Sequence, residues 1–156
     1  MNLYLVQHGL SLPEEKDPQK PLSQEGRRQT LKIADFLKKR KIAVGCLWHS
    51  TKLRSIQTAQ IISKSIKCPE IQERDDLNPL DPVDKFPEKI EPLNKHLMVV
   101  GHLPFLQKLV SLLLSGAETE EFVAFENSGV VCLEYTGLWK IAWMITPGLI
   151  ASRGPG

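Results

Sequence analysis

The chain has 156 residues, 42% of them hydrophobic and 24% charged, with a formal net charge of +2. That is enough apolar material for one core and one domain, and the charge balance, whose densest basic run is "KKRK" at 38–41, excludes a nucleic-acid partner as the expectation. No run approaches the ~18 apolar residues of a membrane span, and the amino terminus lacks the basic region, longer apolar stretch and cleavage site of a leader. A soluble cytoplasmic protein that makes no membrane contact is expected.

The opening "MNLYLVQHGLS" carries Leu3, Tyr4, Leu5 and Val6, a short run of strand formers. Gly9 lets the backbone leave the strand, which places His8 at a strand carboxyl end, where open α/β sheets bind ligands. The polar, proline-bearing "LSLPEEKDPQKP" predicts a loop. "LSQEGRRQTLKIADFLKKRK" predicts a helix with Ser23 as N-cap, apolar Leu31, Ile33, Ala34 and Leu37, and a solvated basic end. A buried strand follows over Val44 to Trp48, then a helix in "STKLRSIQTAQIISKSI" with Ser50 as its N-cap. Between Cys68 and Pro92 repeated prolines leave mostly loop, with one short strand over Glu70 to Glu73 and a helical turn. "HLMVVGHLPFLQKLVSLLLSG" predicts a strand at Leu97 to Val100, a glycine turn and a helix from Pro104 to Leu114 that exits at Gly116. The last third predicts two or three strands, at least one pair antiparallel, separated by "ENSG" and "YTG" turns.

The expected fold is a three-layer α/β/α sandwich with a mostly parallel central sheet, a single domain over 1–148 and a flexible tail over 149–156. Cys46, Cys68 and Cys132 are odd in number and widely spaced, which favours free thiols over a disulfide or zinc framework. The four histidines show no metal-ligand spacing; His49 and His96 are assigned to structure or solvent, and Trp48, Trp139 and Trp143 to the core.

Three strand ends carry groups suited to a phosphate: His8, the stretch Ser50 to Arg54, and Gly101-His102. If those strands are parallel neighbours, His8, Arg54 and His102 converge on one sheet edge, joined there by two helix amino termini near Thr51 and Pro104. Such a pocket favours an anion.

"LYLVQHG" resembles the amino-terminal L-x-R-H-G motif of the histidine phosphatase superfamily, of phosphoglycerate mutase-like fold. "HSTKLRSIQTAQII" resembles its S-x-x-x-R-x-x-Q-T-A segment, "MVVGHLP" its motif with the second histidine, and "PLSQEGRRQ" its L-T/S-x-x-G helix start. The short length and "GHLP" are similar to the SixA-like phosphohistidine phosphatase branch, over nearly the whole chain. The resemblance implies a catalytic set of His8, Arg54 and His102. His8 is the nucleophile that forms a covalent phosphohistidine, Arg54 a bidentate clamp on phosphate oxygens, and His102 a donor to the developing charge. Gln7, Gly9 and Ser50 are the candidate substrate contacts; no metal and no cofactor is implied.

The chain departs from the family at Gln7, where the motif carries arginine and therefore a fixed charge. Larger members place an acid after the second helix; Glu73, Asp75, Asp76 and Asp81 fall in that region without a motif. A phosphohistidine substrate tolerates that gap, because its leaving imidazole has a conjugate acid of pKa about 6.5, whereas an alkoxide needs a donor. The short proline-rich segment implies an open, shallow site. The expected substrate is thus a phosphorylated histidine on a phosphotransfer protein. The alternatives are a phosphorylated small molecule, or phosphate binding with weak or absent turnover caused by Gln7.

Overall fold

The computed structural model describes residues 1–151; of the anticipated tail over 149–156, residues 152–156 lie outside the described residues. The strands are β1 (Asn2–Gln7), β2 (Cys46–Ser50), β3 (Glu70–Arg74), β4 (Leu97–Gly101), β5 (Val130–Tyr135) and β6 (Trp139–Ile145). Between them lie α1 (Gln24–Lys39), α2 (Leu53–Ser63), α3 (Phe86–Ile90) and α4 (Phe105–Ser115). The sheet order is β3-β2-β4-β1-β5-β6, with β1 to β4 mutually parallel and β5 and β6 added antiparallel. The expected sandwich and its mostly parallel sheet are therefore present.

Alternation along the strands divides the core in two, as the period of a pleated strand requires. Leu3 and Leu5 of β1 face one side, with Trp48, Leu97 and Val99, and pack on Phe86, Phe105, Leu106 and Leu109 of α3 and α4. Tyr4 and Val6 face the other, with Leu47, Met98 and Val100, and pack on Ile33, Leu37, Ala59 and Ile62 of α1 and α2. The proline-rich segment joins the first core, because Leu77, Val83, Phe86 and Ile90 are all buried in it. Phe86 makes edge contacts with Trp48 and Phe105, at centroid distances of 5.8 and 5.7 Å.

Local signals set most element boundaries. Ser23 caps α1, its Oγ accepting from the Gly26 N–H at 3.0 Å, and Gly116 ends α4 at φ 81°. Ser50, however, is the last residue of β2 and not the cap of α2; Lys52 takes the N-cap position without a side-chain hydrogen bond. The reason is tertiary, since the Ser50 hydroxyl lies 2.6 Å from His102 Nε2. Pro104 likewise sits at the N-cap of α4, one residue ahead of its first helical turn. β2 begins at Cys46, two residues later than expected, where pairing with both neighbours starts. Of the two or three strands expected at the carboxyl end, two form. Glu121–Phe125 joins no ladder, and the Val123 carbonyl instead accepts from Gln107 of α4 at 2.7 Å.

The turn before α1 is pressed against the helix, and a Cβ on Gly26 would fall 2.0 Å from the backbone carbonyl of Leu10. Backbone cannot yield there as a flexible side chain would. Gly26→Ala should therefore cost about 1–3 kcal/mol in urea denaturation, the usual penalty of forced overpacking. Gly148→Ala, with nothing among the described residues within 4 Å of the added methyl group, should leave the midpoint unchanged. Equal midpoints for both variants and the parent would reject this account of the α1 contact.

Candidate active site

Register brings the first histidine to the second. Gln7 of β1 pairs with Gly101 of β4, and the His8 N–H continues the ladder by donating to the Gly101 carbonyl at 3.0 Å. The next residue on each strand is then a histidine, and the rings of His8 and His102 lie 4.9 Å apart, tilted by 52°. Because β4 lies between β1 and β2, His102 is flanked on its other side by Ser50, the last residue of β2. Arg54 stands in the first turn of α2, immediately beyond that strand end.

The two rings are bound differently. His8 Nδ1 is 2.8 Å from the carbonyl of Gly9. A carbonyl only accepts, so Nδ1 carries the proton and Nε2 keeps its lone pair. His102 is 1% exposed; its Nε2 meets the Ser50 hydroxyl, and its buried Nδ1 has no hydrogen-bond partner among the described residues. Burial is the main force on both, lowering His8 to about 4 and His102 to about 3. The hydrogen bond to Gly9 works against burial at His8, while Arg54 and Lys20 push in the same direction. His8, Arg54, Lys52 and Lys20 act likewise on His102. Burial also lowers Arg54, whose guanidinium has no hydrogen-bond or ion-pair partner among the described residues. Two neutral imidazoles beside uncompensated cations make a site that can receive an anion and attack it.

Gln7 and Gly9, the neighbours of His8 in the chain, stand in different surroundings. Gly9 is buried, its N–H donating to Thr58 Oγ1 at 2.9 Å, and a Cβ there would lie 2.7 Å from Thr30 Oγ1. The close approach of α1 thus requires glycine. Gln7 lines a cavity of about 450 Å³ with Leu10, Gln29, Phe125, Glu126, Asn127, Pro147 and Gly148, and its buried Oε1 has no partner among the described residues. Ser50 is fully buried, so its hydroxyl acts on the site through His102.

Sequence reading missed the residues that fix the His8 backbone. Asn127 Nδ2 donates to the His8 carbonyl at 3.0 Å, and the Ser128 N–H donates to the Gln7 carbonyl at 2.9 Å. Ser128 adopts φ 65° and its hydroxyl is 2.8 Å from Thr30 Oγ1. "ENSG" had signalled only a turn; its second task depends on β5 lying beside β1. Thr58 is the threonine of the "QTA" segment, to which the sequence assigns no role; it joins the Gly9 N–H to the Arg54 carbonyl, to which its hydroxyl donates at 2.7 Å. Among the four acids considered, Asp76 is held well below the carboxylate range by Arg74 and Lys89, and Asp81 accepts from the Asn78 N–H at 2.8 Å. Glu73 and Asp75 are exposed.

Residues 3–84 match the family model for the histidine phosphatase superfamily (branch 1). Phosphohistidine phosphatase SixA of Escherichia coli (strain K12) is 25% identical over 153 residues, covering 94% of each chain. The structure of the protein histidine phosphatase SixA complexed with tungstate superposes with a TM-score of 0.84 at 23% identity, covering 95% of this chain and 98% of the other. A mutant phosphoserine phosphatase from Entamoeba histolytica, in complex with phosphoserine, gives 0.67 at 15% identity over 92% and 95% of the two chains.

Imidazole NMR titration should place the His8 midpoint at about 4 and that of His102 at about 3; a midpoint near 6.5 for either would reject the buried, cation-flanked setting. Both folded values are depressed, so from about pH 6.5 downward the unfolded chain binds more protons than the native one. The melting temperature should therefore fall as pH drops through about 6.5 toward 4, and less steeply in His8→Gln.

Proposed function

The chain belongs to the histidine phosphatase superfamily (branch 1), and from that membership we propose that it hydrolyses phosphohistidine carried on a phosphotransfer protein. The observation that carries the reading is the His8 ring, neutral, fastened through Nδ1 to the Gly9 carbonyl, and 4.9 Å from the His102 ring. The lone pair of His8 Nε2 forms a bond to phosphorus while the substrate P–N bond breaks and its electron pair returns to the leaving imidazole. Water then attacks the phosphorylated His8, the Nε2–P bond breaks, its electron pair returns to Nε2, and the water proton passes to solvent.

Charge is managed by the groups around the rings. The unspent guanidinium of Arg54 clamps phosphate oxygens, and His102 meets the charge that builds up at phosphorus. With Asp76 committed to Arg74 and Lys89, and Glu73 and Asp75 in solvent, a substrate whose leaving group needs no strong acid is favoured. The burial of Leu77, Val83, Phe86 and Ile90 supports a macromolecular substrate, because it packs the proline-rich segment onto the sheet.

Gln7 favours a second reading, phosphate binding with weak turnover, since its neutral amide replaces a charged contact. Turnover of a phosphohistidine protein beside a panel of sugar and amino-acid phosphates separates these readings from a small-molecule phosphomonoesterase. The expected result is release of phosphate from the phosphohistidine protein, acid-labile label on the parent, none on His8→Ala, and a rate about 10²–10³ lower in Arg54→Ala. Preference for sugar phosphates would overturn the substrate, and labelling of His8→Ala would overturn the nucleophile.

A further inference from the structure

A neutral imidazole has a single N–H to give, and which nitrogen of His102 holds that proton decides where the ring can donate. Ser50 stands where it settles the matter. β2 and β4 are parallel neighbours, paired from Cys46 and Leu97 to His49 and Val100, so Ser50 ends its strand beside the end of β4. Its hydroxyl lies 2.6 Å from His102 Nε2, and both residues are buried.

A hydroxyl has one proton to donate and two lone pairs with which to accept. The Lys52 N–H donates to Ser50 Oγ at 3.3 Å and occupies one lone pair. His102 Nε2 is the hydroxyl's other neighbour, and among the described residues it is the one acceptor within reach of the hydroxyl proton. Were Nε2 protonated instead, two buried groups would go unpaired, the hydroxyl proton and the lone pair of His102 Nδ1. With the hydroxyl donating to Nε2, the ring proton sits on Nδ1 and is the single group left over. That group is a donor, which an oxyanion satisfies.

We infer that Ser50 is a positioning residue whose hydroxyl proton holds His102 as the Nδ1–H tautomer, making Nδ1 the atom through which this ring donates to a transferring phosphoryl group. The donor half of the inference rests on the phosphoryl-transfer reading of the site. The two histidines are then one tautomer put to opposite uses. His8 commits its Nδ1 proton to the Gly9 carbonyl and keeps Nε2 for attack, whereas His102 accepts from Ser50 at Nε2 and keeps Nδ1–H for donation.

Nitrogen-15 NMR of the full chain with labelled histidine tests the tautomer without any substrate, because a protonated ring nitrogen and one carrying a lone pair resonate far apart. The parent should show His102 with its lone pair at Nε2 and its proton at Nδ1, and saturating inorganic phosphate should move the Nδ1 proton resonance. Ser50→Ala should lose that single tautomer and lower kcat on a phosphohistidine protein about tenfold, with KM close to the parent's. Ser50→Thr, which keeps the hydroxyl, should keep the tautomer. Ser55→Ala removes another fully buried hydroxyl, which donates to the Val100 carbonyl at 3.3 Å, and should lower the melting temperature while leaving the His102 tautomer unchanged. A parent protonated at His102 Nε2, an unchanged tautomer in Ser50→Ala, or a loss of tautomer in Ser55→Ala as large as in Ser50→Ala would overturn the inference. The parent spectrum decides the tautomer even where Ser50→Ala fails to fold. A parental kcat in folded Ser50→Ala, or phosphate that binds and leaves the Nδ1 proton unmoved, overturns the donor role. A parent that binds no phosphate overturns the donor role together with the phosphoryl-transfer reading. Phosphate bound at Nδ1 with no turnover of phosphohistidine overturns only the proposed substrate.

Discussion

The parallel pairing of β1 with β4 is the constraint on which the site depends. Gln7 faces Gly101 across the ladder, so the residues that follow, His8 and His102, arrive side by side. A slip of one residue would turn the side chains of β1 to the opposite face and place neither ring correctly. The register is protected from both sides of the sheet. Leu3 and Leu5 are locked into one core and Tyr4 and Val6 into the other, all nearly inaccessible. Burial of this kind is worth about 1.5–3 kcal/mol for each large apolar side chain, so the geometry at the strand end is set by packing well below it.

Given that register, the surroundings make the histidines chemically unusual. Both are desolvated, and the charges that act on them are positive, which keeps the rings neutral where a free histidine would begin to protonate. The Gly9 carbonyl then selects the tautomer of His8. Asn127 and Ser128 hold the carbonyls of His8 and Gln7, and Thr58 holds the Gly9 amide. His8 is thereby fixed from β1, α2 and the turn before β5 at once. Pre-organisation of this kind matters for transfer chemistry, in which small misplacements of the reacting atom are costly.

The same surroundings give Gln7 its significance. Arg54, in the first turn of α2, brings positive charge to bear on both histidines from outside the strand that carries position 7. A neutral side chain there is compatible with an anion pocket, provided other elements bring the charge. Its buried Oε1 has no hydrogen-bond partner among the described residues.

Features governed by neighbours along the chain were legible in the sequence. Strand β1, the Ser23 cap, the Gly116 exit, and the placement of His8 and His102 at strand ends follow from side-chain period, capping chemistry and backbone freedom. The motif spacing further indicated which strand ends belong together. Ser50 marks the limit, because a serine before a helix has two partners open to it, the helix amides and whatever the fold brings near, and here His102 prevails. Asn127, Ser128 and Thr58 lie beyond that limit, since ordinary turn and helix residues become parts of a site only through strands and helices remote in sequence. The sequence by itself determined the elements and the reactive groups at their ends. The depressed histidine pKa values and the tautomer belong to the tertiary structure, because desolvation and Coulomb forces depend on distance in space rather than distance along the chain.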